Sequence, residues 1–179
     1  MNYYTYQFSN GIRLIHKPDT ASVAYCGIAI NTGTRDESEQ ESGMAHFIEH
    51  MLFKGTRKRK AWHILNRLEN VGGELNAYAT KEETVISATV LSEYFERAME
   101  LITDVVFNST FPENEIEKEI DVILDEINSY RDNPSELIFD DFEELVFKGY
   151  PIGRNILGDD RQIREFTSRK ALDFIARTY

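Results

Sequence analysis

The chain has 179 residues, which is enough for one domain with a complete hydrophobic core. Apolar residues make up 41% and charged residues 28% of it, so a collagen-like or wholly disordered chain is excluded. The net charge is −11, with the whole acidic excess in the second half, which argues against nucleic acid or a membrane as a partner. We expect a cytoplasmic protein, because the sequence shows neither a signal peptide nor a bilayer-spanning stretch and has one cysteine.

The first part of the chain is predicted to form strands. Residues 4–8 and 12–16 flank Asn10-Gly11, and this dipeptide between alternating apolar residues is the strongest short-range signal for a β-hairpin. The nearly continuous apolar run 22–31 predicts a strand that is covered on both faces. Residues 32–42 are polar and acidic, which predicts a loop.

Two helices and two strands are predicted next. Residues 43–54 form a mostly apolar helix, with Gly55 in the C′ position that glycine favours. The basic run 57–60 is interpreted as a solvated loop, because four charges beside a helix end are common in acidic proteins. A second helix is predicted over residues 61–71. The two strands are residues 75–80 and 84–91.

The second half is predicted to be helical. Ser92 is a plausible N-cap for a helix over residues 93–106. Residues 113–131 carry apolar side chains at steps of four and three, which is the helical signature. Two further helices are predicted, over residues 134–147 and 168–179. Because strands come first and helices follow without regular alternation, the fold class is predicted to be α+β.

The first helix carries the motif His46-Phe47-Ile48-Glu49-His50. At about 100° per residue, His46 and His50 lie roughly 40° apart on one face, so both imidazoles can reach one metal ion. Glu49 lies about 60° to the side of His46, where its carboxylate can face a water molecule without binding the metal. The motif is the inverse of the commoner His-Glu-x-x-His arrangement.

The alternative interpretation is a chance match, with both histidines satisfied inside a core. The helix is apolar nearly all round, so Glu49 is expected to be buried, and a buried carboxylate is very costly without a compensating partner. A bound cation supplies that compensation. We therefore interpret the motif as a metal site.

A catalytic zinc site usually has three protein ligands, so one more is expected downstream. Glu119 and Glu126 are seven residues apart in the helix 113–131 and therefore share a face. Three further acidic residues of this helix, Glu117, Asp121 and Asp125, point elsewhere. Spacing alone does not choose between the two glutamates, and a solvated acidic face remains an alternative.

The motif 46–50 in its context 43–56, together with the acidic helix, resembles the pitrilysin or insulinase family of zinc peptidases, which includes the mitochondrial processing peptidases. The resemblance implies an antiparallel-rich sheet with helices packed on one face. It also implies that Glu126 is the third Zn²⁺ ligand, that Glu119 orients the site from outside the ligand set, and that Glu49 activates the attacking water.

The segment 68–80 resembles the edge strand of the same family. An exposed edge strand can bind an extended peptide by β-augmentation, and the backbone groups of Asn76 and Ala77 are the candidate contacts. The alternative is an ordinary edge strand in which Asn76 closes a local turn.

The resemblance implies a zinc-dependent endopeptidase that cleaves extended peptides. Family members pair two homologous domains, so residues 1–179 are expected to be most of the N-terminal catalytic domain and to have little activity without a second domain or subunit. Two rival hypotheses are a non-catalytic peptide-recognition subunit of the same family and an acidic interaction domain with core histidines. Self-association of the chain is left open.

Overall fold

The computed structural model of the chain describes residues 3–179. Strands β1 and β2 form an antiparallel hairpin, and strands β3, β4 and β5 form an antiparallel sheet in the order β3-β5-β4. The strands are β1 Tyr4–Gln7, β2 Arg13–His16, β3 Val23–Ile30, β4 Glu74–Ala79 and β5 Thr84–Leu91. The helices are α1 Met44–Met51, α2 Ala61–Glu69, α3 Phe95–Asn108, α4 Glu113–Arg131, α5 Pro134–Val146, α6 Asp160–Ile163 and α7 Ser168–Thr178. The α+β prediction is confirmed.

One face of the three-stranded sheet carries the core. Along β5, Ile86, Ala88 and Val90 are buried and alternate with partly exposed residues, as expected for a sheet with one covered face. Helices α1, α2 and α3 pack against the strands of this sheet. The antiparallel sheet with helices on one face is therefore confirmed.

Helix α1 is the most deeply buried helix near the sheet, and it lies between β4 and α4. Met44, Phe47, Ile48 and Met51 are fully buried, because the helix is apolar nearly all round. Its backbone is consequently held by packing on several sides. Side chains on α1 that point toward α4 are therefore fixed in position.

The prediction that strand 22–31 is covered on both faces is wrong. Strand β3 is an edge strand whose outward side chains are exposed, and Tyr25 is 79% exposed. Gly27 lies so close to β5 that a Cβ atom there would be 2.7 Å from the carbonyl oxygen of Ile86. An unbroken apolar run does not distinguish a covered strand from a one-sided strand rich in alanine and glycine.

The predicted end of the first helix is also wrong. Helix α1 ends at Met51, so Gly55 lies beyond its C′ position and forms a bridge with Lys60. A Cβ atom at Gly55 would be 3.3 Å from Cγ of Pro112. Glycine is used here for close packing between two loop segments and does not cap the helix.

The basic loop 57–60 is only partly solvated, because Arg59 is an exception to the prediction. Its side chain is 15% exposed and forms ion pairs with Asp104 and Glu100 of α3. The hydroxyl of Thr56 also donates to Asp104, at 2.8 Å. The loop is thereby tied to α3.

The prediction that Ser92 caps the first helix of the second half needs correction. Ser92 begins a short 3-10 turn and donates its hydroxyl to the carbonyl oxygen of Ala21, so it does not cap α3.

Helix α5 has no buried residue, and Phe139, Phe142 and Leu145 are exposed. Within residues 3–179, no helix has both the length and the apolar character needed to cross a bilayer.

Candidate metal centre

Two ligand candidates come from α1, which begins at a sharp turn. Gly43 precedes the helix with φ of +93°, a conformation that side-chain-bearing residues rarely adopt. One turn apart on the helix, the rings of His46 and His50 have centroids 4.6 Å apart. The predicted arrangement of the two imidazoles on one helix face is therefore present.

The third candidate, Glu126, approaches from α4. Its Oε2 lies 3.7 Å from Nε2 of His46 and 3.3 Å from Nε2 of His50, and the two Nε2 atoms are 3.1 Å apart. Within residues 3–179 these three residues form the cluster of His, Cys, Asp and Glu side chains that could hold a metal ion.

This donor set fits a zinc ion. Bonds of about 2.0–2.2 Å in a tetrahedral site place neighbouring ligand atoms about 3.3–3.6 Å apart, close to the spacing of these three atoms. Two imidazole nitrogens and one carboxylate oxygen are also the kind of donors that catalytic zinc uses. Without a cation, two acceptor nitrogens of this kind face one another unfavourably unless one carries a proton.

Burial controls the protonation of His46. The residue is 6% exposed, and this burial, together with the nearby His50, lowers the pKa of His46 to about 4. The imidazole is therefore neutral near pH 7 and keeps a lone pair for a metal ion. Its Nδ1 atom is buried and has no hydrogen-bond partner among the described residues.

Glu119 holds the second imidazole. Its Oε1 lies 2.9 Å from Nδ1 of His50, and its Oε2 lies 2.6 Å from Nζ of Lys54. Burial alone would raise the pKa of Glu119, but the hydrogen bonds from His50 and Lys54 lower it, so the group is ionised. A carboxylate that accepts Nδ1–H leaves the Nε2 lone pair of His50 directed at the metal position.

Glu49 lies beside the cluster without joining it. Its Oε2 accepts the backbone N–H of Ala79 at 2.7 Å. Burial raises the pKa of Glu49, while the N–H of Ala79 and the charge of His50 act in the opposite direction. The carboxylate therefore has one oxygen held by β4 and is available to exchange a proton beside the metal position.

The edge of β4 presents backbone groups of alternate residues. At the turn to β5, the N–H of Thr80 donates to the carbonyl oxygen of Glu83 at 2.8 Å. Bonded and non-bonded pairs alternate along an antiparallel ladder, so the backbone of Asn76, in phase with Thr80, is bonded to β5. The backbones of Ala77 and Ala79 point to the other edge. Of the two predicted contacts, Ala77 therefore directs its backbone groups to the outer edge, whereas the backbone of Asn76 is bonded to β5 and its predicted contact needs correction.

The structure brings together His46, Glu49, His50, Glu119 and Glu126, all of which were singled out from the sequence. Sequence reasoning missed Lys54 and the N–H of Ala79, and it treated residues 32–42 only as a loop. No local pattern identifies these groups, because their partners lie on other elements. The other two histidines of the chain, His16 and His63, are exposed and lie outside the cluster.

Replacing Glu119 with glutamine tests its predicted effect on the metal site. We expect the Zn²⁺ affinity of the Glu119→Gln variant to fall about 10–100-fold, because the Nδ1–H of His50 loses its charged acceptor. Competition with a chromophoric chelator measures the affinity. The matched control is Glu117→Gln, an exposed residue on the same helix, which should bind zinc like the wild type. Equal affinities for the two variants would contradict the assignment.

Comparison with known families adds an independent observation. A family model described as Insulinase (Peptidase family M16) matches residues 13–160. The chain belongs to this family. The match covers most of the insulinase-family chain, including the three-residue cluster and Glu49.

Curated relatives carry names that agree with this family. The insulinase-family chain is 39% identical over 180 aligned residues to an uncharacterized zinc protease of Rickettsia felis, covering 99% of the chain and 43% of that relative. It is 38% identical over 170 residues to the mitochondrial-processing peptidase subunit beta of Rattus norvegicus, covering 95% of the chain and 35% of that protein. The chain thus spans less than half the length of the relatives it matches.

Solved structures share the fold. A protease from Helicobacter pylori superposes with a TM-score of 0.93 at 21% identity, covering 99% of the insulinase-family chain and 44% of that protein. A peptidase M16 inactive domain from Pseudomonas fluorescens gives a TM-score of 0.91 at 20% identity and covers 100% of the chain and 44% of that one. At this level of identity the likeness concerns the fold.

Proposed function

We propose that the chain is the metal-binding part of a zinc endopeptidase that hydrolyses extended peptides. The observation that carries this proposal is the convergence of His46, His50 and Glu126, with Glu49 beside them. Membership of a metallopeptidase family and relatives named zinc protease support the choice of zinc. His46, His50 and Glu126 are the residues that would hold the ion.

A bound zinc ion would supply Lewis-acid chemistry, by polarising a peptide carbonyl and making water more acidic. Glu49 is the group that accepts a proton from the attacking water and later donates it to the leaving amine. Its Oε2 is held by the N–H of Ala79, so the remaining oxygen, Oε1, is the one that exchanges the proton. Glu119 and Lys54 keep the His50 ring in its orientation throughout.

The substrate would bind as an added strand along β4. The backbone groups of Ala77 face the outer edge of β4. This strand ends at Ala79, whose N–H is bonded to Glu49. An extended peptide that pairs with this edge would lie next to the metal position. A segment inside a folded protein has no free backbone groups with which to form this pairing. This argument favours extended peptides as the substrate class.

We further propose that full activity needs a second domain or subunit. The relatives are more than twice as long as the part matched by this chain, which is consistent with additional catalytic or substrate-binding groups. Loss of oxyanion stabilisation from such groups would lower kcat by about 10²–10³-fold. The chain alone is therefore expected to bind zinc and to cleave peptides weakly.

The test is a measurement of zinc content and peptide hydrolysis on two proteins: this chain, and the longest natural polypeptide that contains it. Both should bind one zinc ion per chain. The longer protein should cleave unstructured quenched-fluorescent peptides, lose the activity on treatment with a chelator and regain it when zinc is added.

Other results would favour the rival hypotheses. Stoichiometric zinc with no hydrolysis by either protein would indicate a non-catalytic peptide-recognition subunit. Absence of zinc binding would indicate an interaction domain with core histidines and would overturn the proposal. Equal turnover by the chain alone and by the longer protein would contradict the need for a second domain.

A further inference from the structure

A buried carboxylate stands at the start of the helix that carries the metal ligands. Glu37 is 4% exposed, although it lies in a polar loop. Its Oε2 accepts the N–H of Gly43 at 3.0 Å, and its Oε1 accepts the N–H of Ala45 at 2.8 Å. Both carboxylate oxygens are thus used on the first turn of α1.

These bonds replace a missing helix cap. The first N–H groups of a helix have no partner within the helix and are usually satisfied by a polar side chain at the N-cap. The N-cap residue of α1 is Gly43, which has no side chain to do this. Glu37 supplies the acceptors from six residues upstream.

The segment that carries Glu37 is itself anchored beside Glu49. The N–H groups of Thr34 and Arg35 donate to the carbonyl oxygens of Thr80 and Lys81, at 3.2 and 3.0 Å. A Cβ atom at Gly33 would be 2.4 Å from the carbonyl oxygen of Thr80, so the contact is too close for other residues. This turn directly follows Ala79 of β4, whose N–H binds Glu49.

Burial opposes a negative charge at this position, but each carboxyl oxygen keeps a lone pair for an N–H group whether or not the side chain is protonated. Burial raises the pKa of Glu37 to about 8, while the N–H groups of Ala45 and Gly43 and the nearby charge of Arg154 act to lower it. Glu41 is the neighbouring acidic group, and it acts in the same direction as burial. Arg154 also donates to the backbone oxygens of Glu37 and Ser38, which holds the loop in place.

We propose that Glu37 is a positioning residue for the metal centre, because it fixes the first turn of α1 relative to β4. Its two hydrogen bonds fix the position of the first turn of α1. The positions of the His46 and His50 imidazoles depend on where that turn lies. Because the segment that carries Glu37 is also bonded to the turn after β4, it fixes the distance between Glu49 and the N–H of Ala79 as well. This inference rests on the proposed zinc site and adds a residue that does not touch it.

The experiment compares Glu37→Gln with the matched control Glu41→Gln. Glutamine at position 37 keeps the volume but offers one acceptor and one donor, so the N–H of Gly43 or Ala45 meets an N–H group. Glu41 lies in the same loop, and its side chain binds Arg177 and the N–H of Ser38 but no atom of α1. Both variants therefore replace one carboxyl group with an amide in the same segment.

Two readouts separate positioning from mere stability. We expect Glu37→Gln to bind Zn²⁺ at least about 10-fold more weakly than the wild type in chelator competition. We also expect shifted d–d absorption bands in the Co²⁺-loaded protein at saturating metal, because the ligand geometry changes. Glu41→Gln should match the wild type in both. If Glu37→Gln does not fold, Glu37→Asp, which keeps the carboxyl group but is too short for both bonds, is measured instead with the same expectation.

Two outcomes overturn the inference. Wild-type zinc affinity together with an unchanged Co²⁺ spectrum in the Glu37 variant would contradict it and leave the proposed function intact. A wild-type chain that binds no zinc would overturn the proposed function and this inference together.

Discussion

Replacement of Glu49 with glutamine is expected to lower kcat for peptide hydrolysis about 10²–10⁴-fold, which is the contribution of a positioned general base. Glutamine has nearly the same shape, but it cannot accept a proton from water. Its side-chain oxygen can still accept the N–H of Ala79, so the local structure should persist. The effect should therefore fall on kcat, with KM little changed.

The measurement uses the longest natural polypeptide that contains this chain, with zinc content determined in parallel. Zinc content of Glu49→Gln should equal that of the wild type, because Glu49 lies outside the ligand cluster. The control is Glu69→Gln, an exposed position on α2, which should keep full activity. Turnover within a few-fold of the wild type in Glu49→Gln would remove Glu49 from the proposed mechanism.

Replacement of His46 with alanine is expected to abolish stoichiometric zinc binding, because one of three donors is removed. The metal-free variant should lose little folding stability. The ring of His46 carries a buried Nδ1 with no described partner, so its removal relieves a desolvation cost that offsets part of the lost packing. Metal analysis after dialysis measures the first effect, and thermal unfolding of the metal-free proteins measures the second.

His63→Ala is the matched control for this variant. His63 is also on a helix, but it is exposed and outside the cluster, so zinc content should stay at the wild-type level. Retention of zinc by His46→Ala would contradict the ligand assignment. Loss of zinc by both variants would indicate that binding depends on histidine in general and not on this site.

Helical periodicity and hairpin signals predicted much of the fold because these features are local. The steps of four and three along residues 113–131 predicted α4 with its observed bounds, and β5 also has its predicted bounds of 84–91. The missed features depend on tertiary contacts. Whether β3 is covered on its second face, and whether Gly55 caps a helix or packs against a loop, is decided by distant segments.

The candidate site divides in the same way. The motif on α1 spans about one helical turn and contains His46, Glu49 and His50. Its spacing alone predicts that both imidazoles share a face of the helix. Choosing between Glu119 and Glu126 required the family resemblance, because both lie on the same face of α4. The anchor of Glu49 on β4 and the buried Glu37 have no local signature, since each bond joins segments that are separate in the sequence.

The candidate metal centre brings together proposed ligands that are very unequally spaced along the chain. His46 and His50 belong to one short helix, whereas Glu126 arrives only when α4 docks against it. The two imidazoles would be available to a metal ion as soon as the helix forms, whereas the proposed third ligand depends on a long-range contact, which forms slowly during folding. The rate of zinc release from the folded protein should therefore report how often α4 separates from α1.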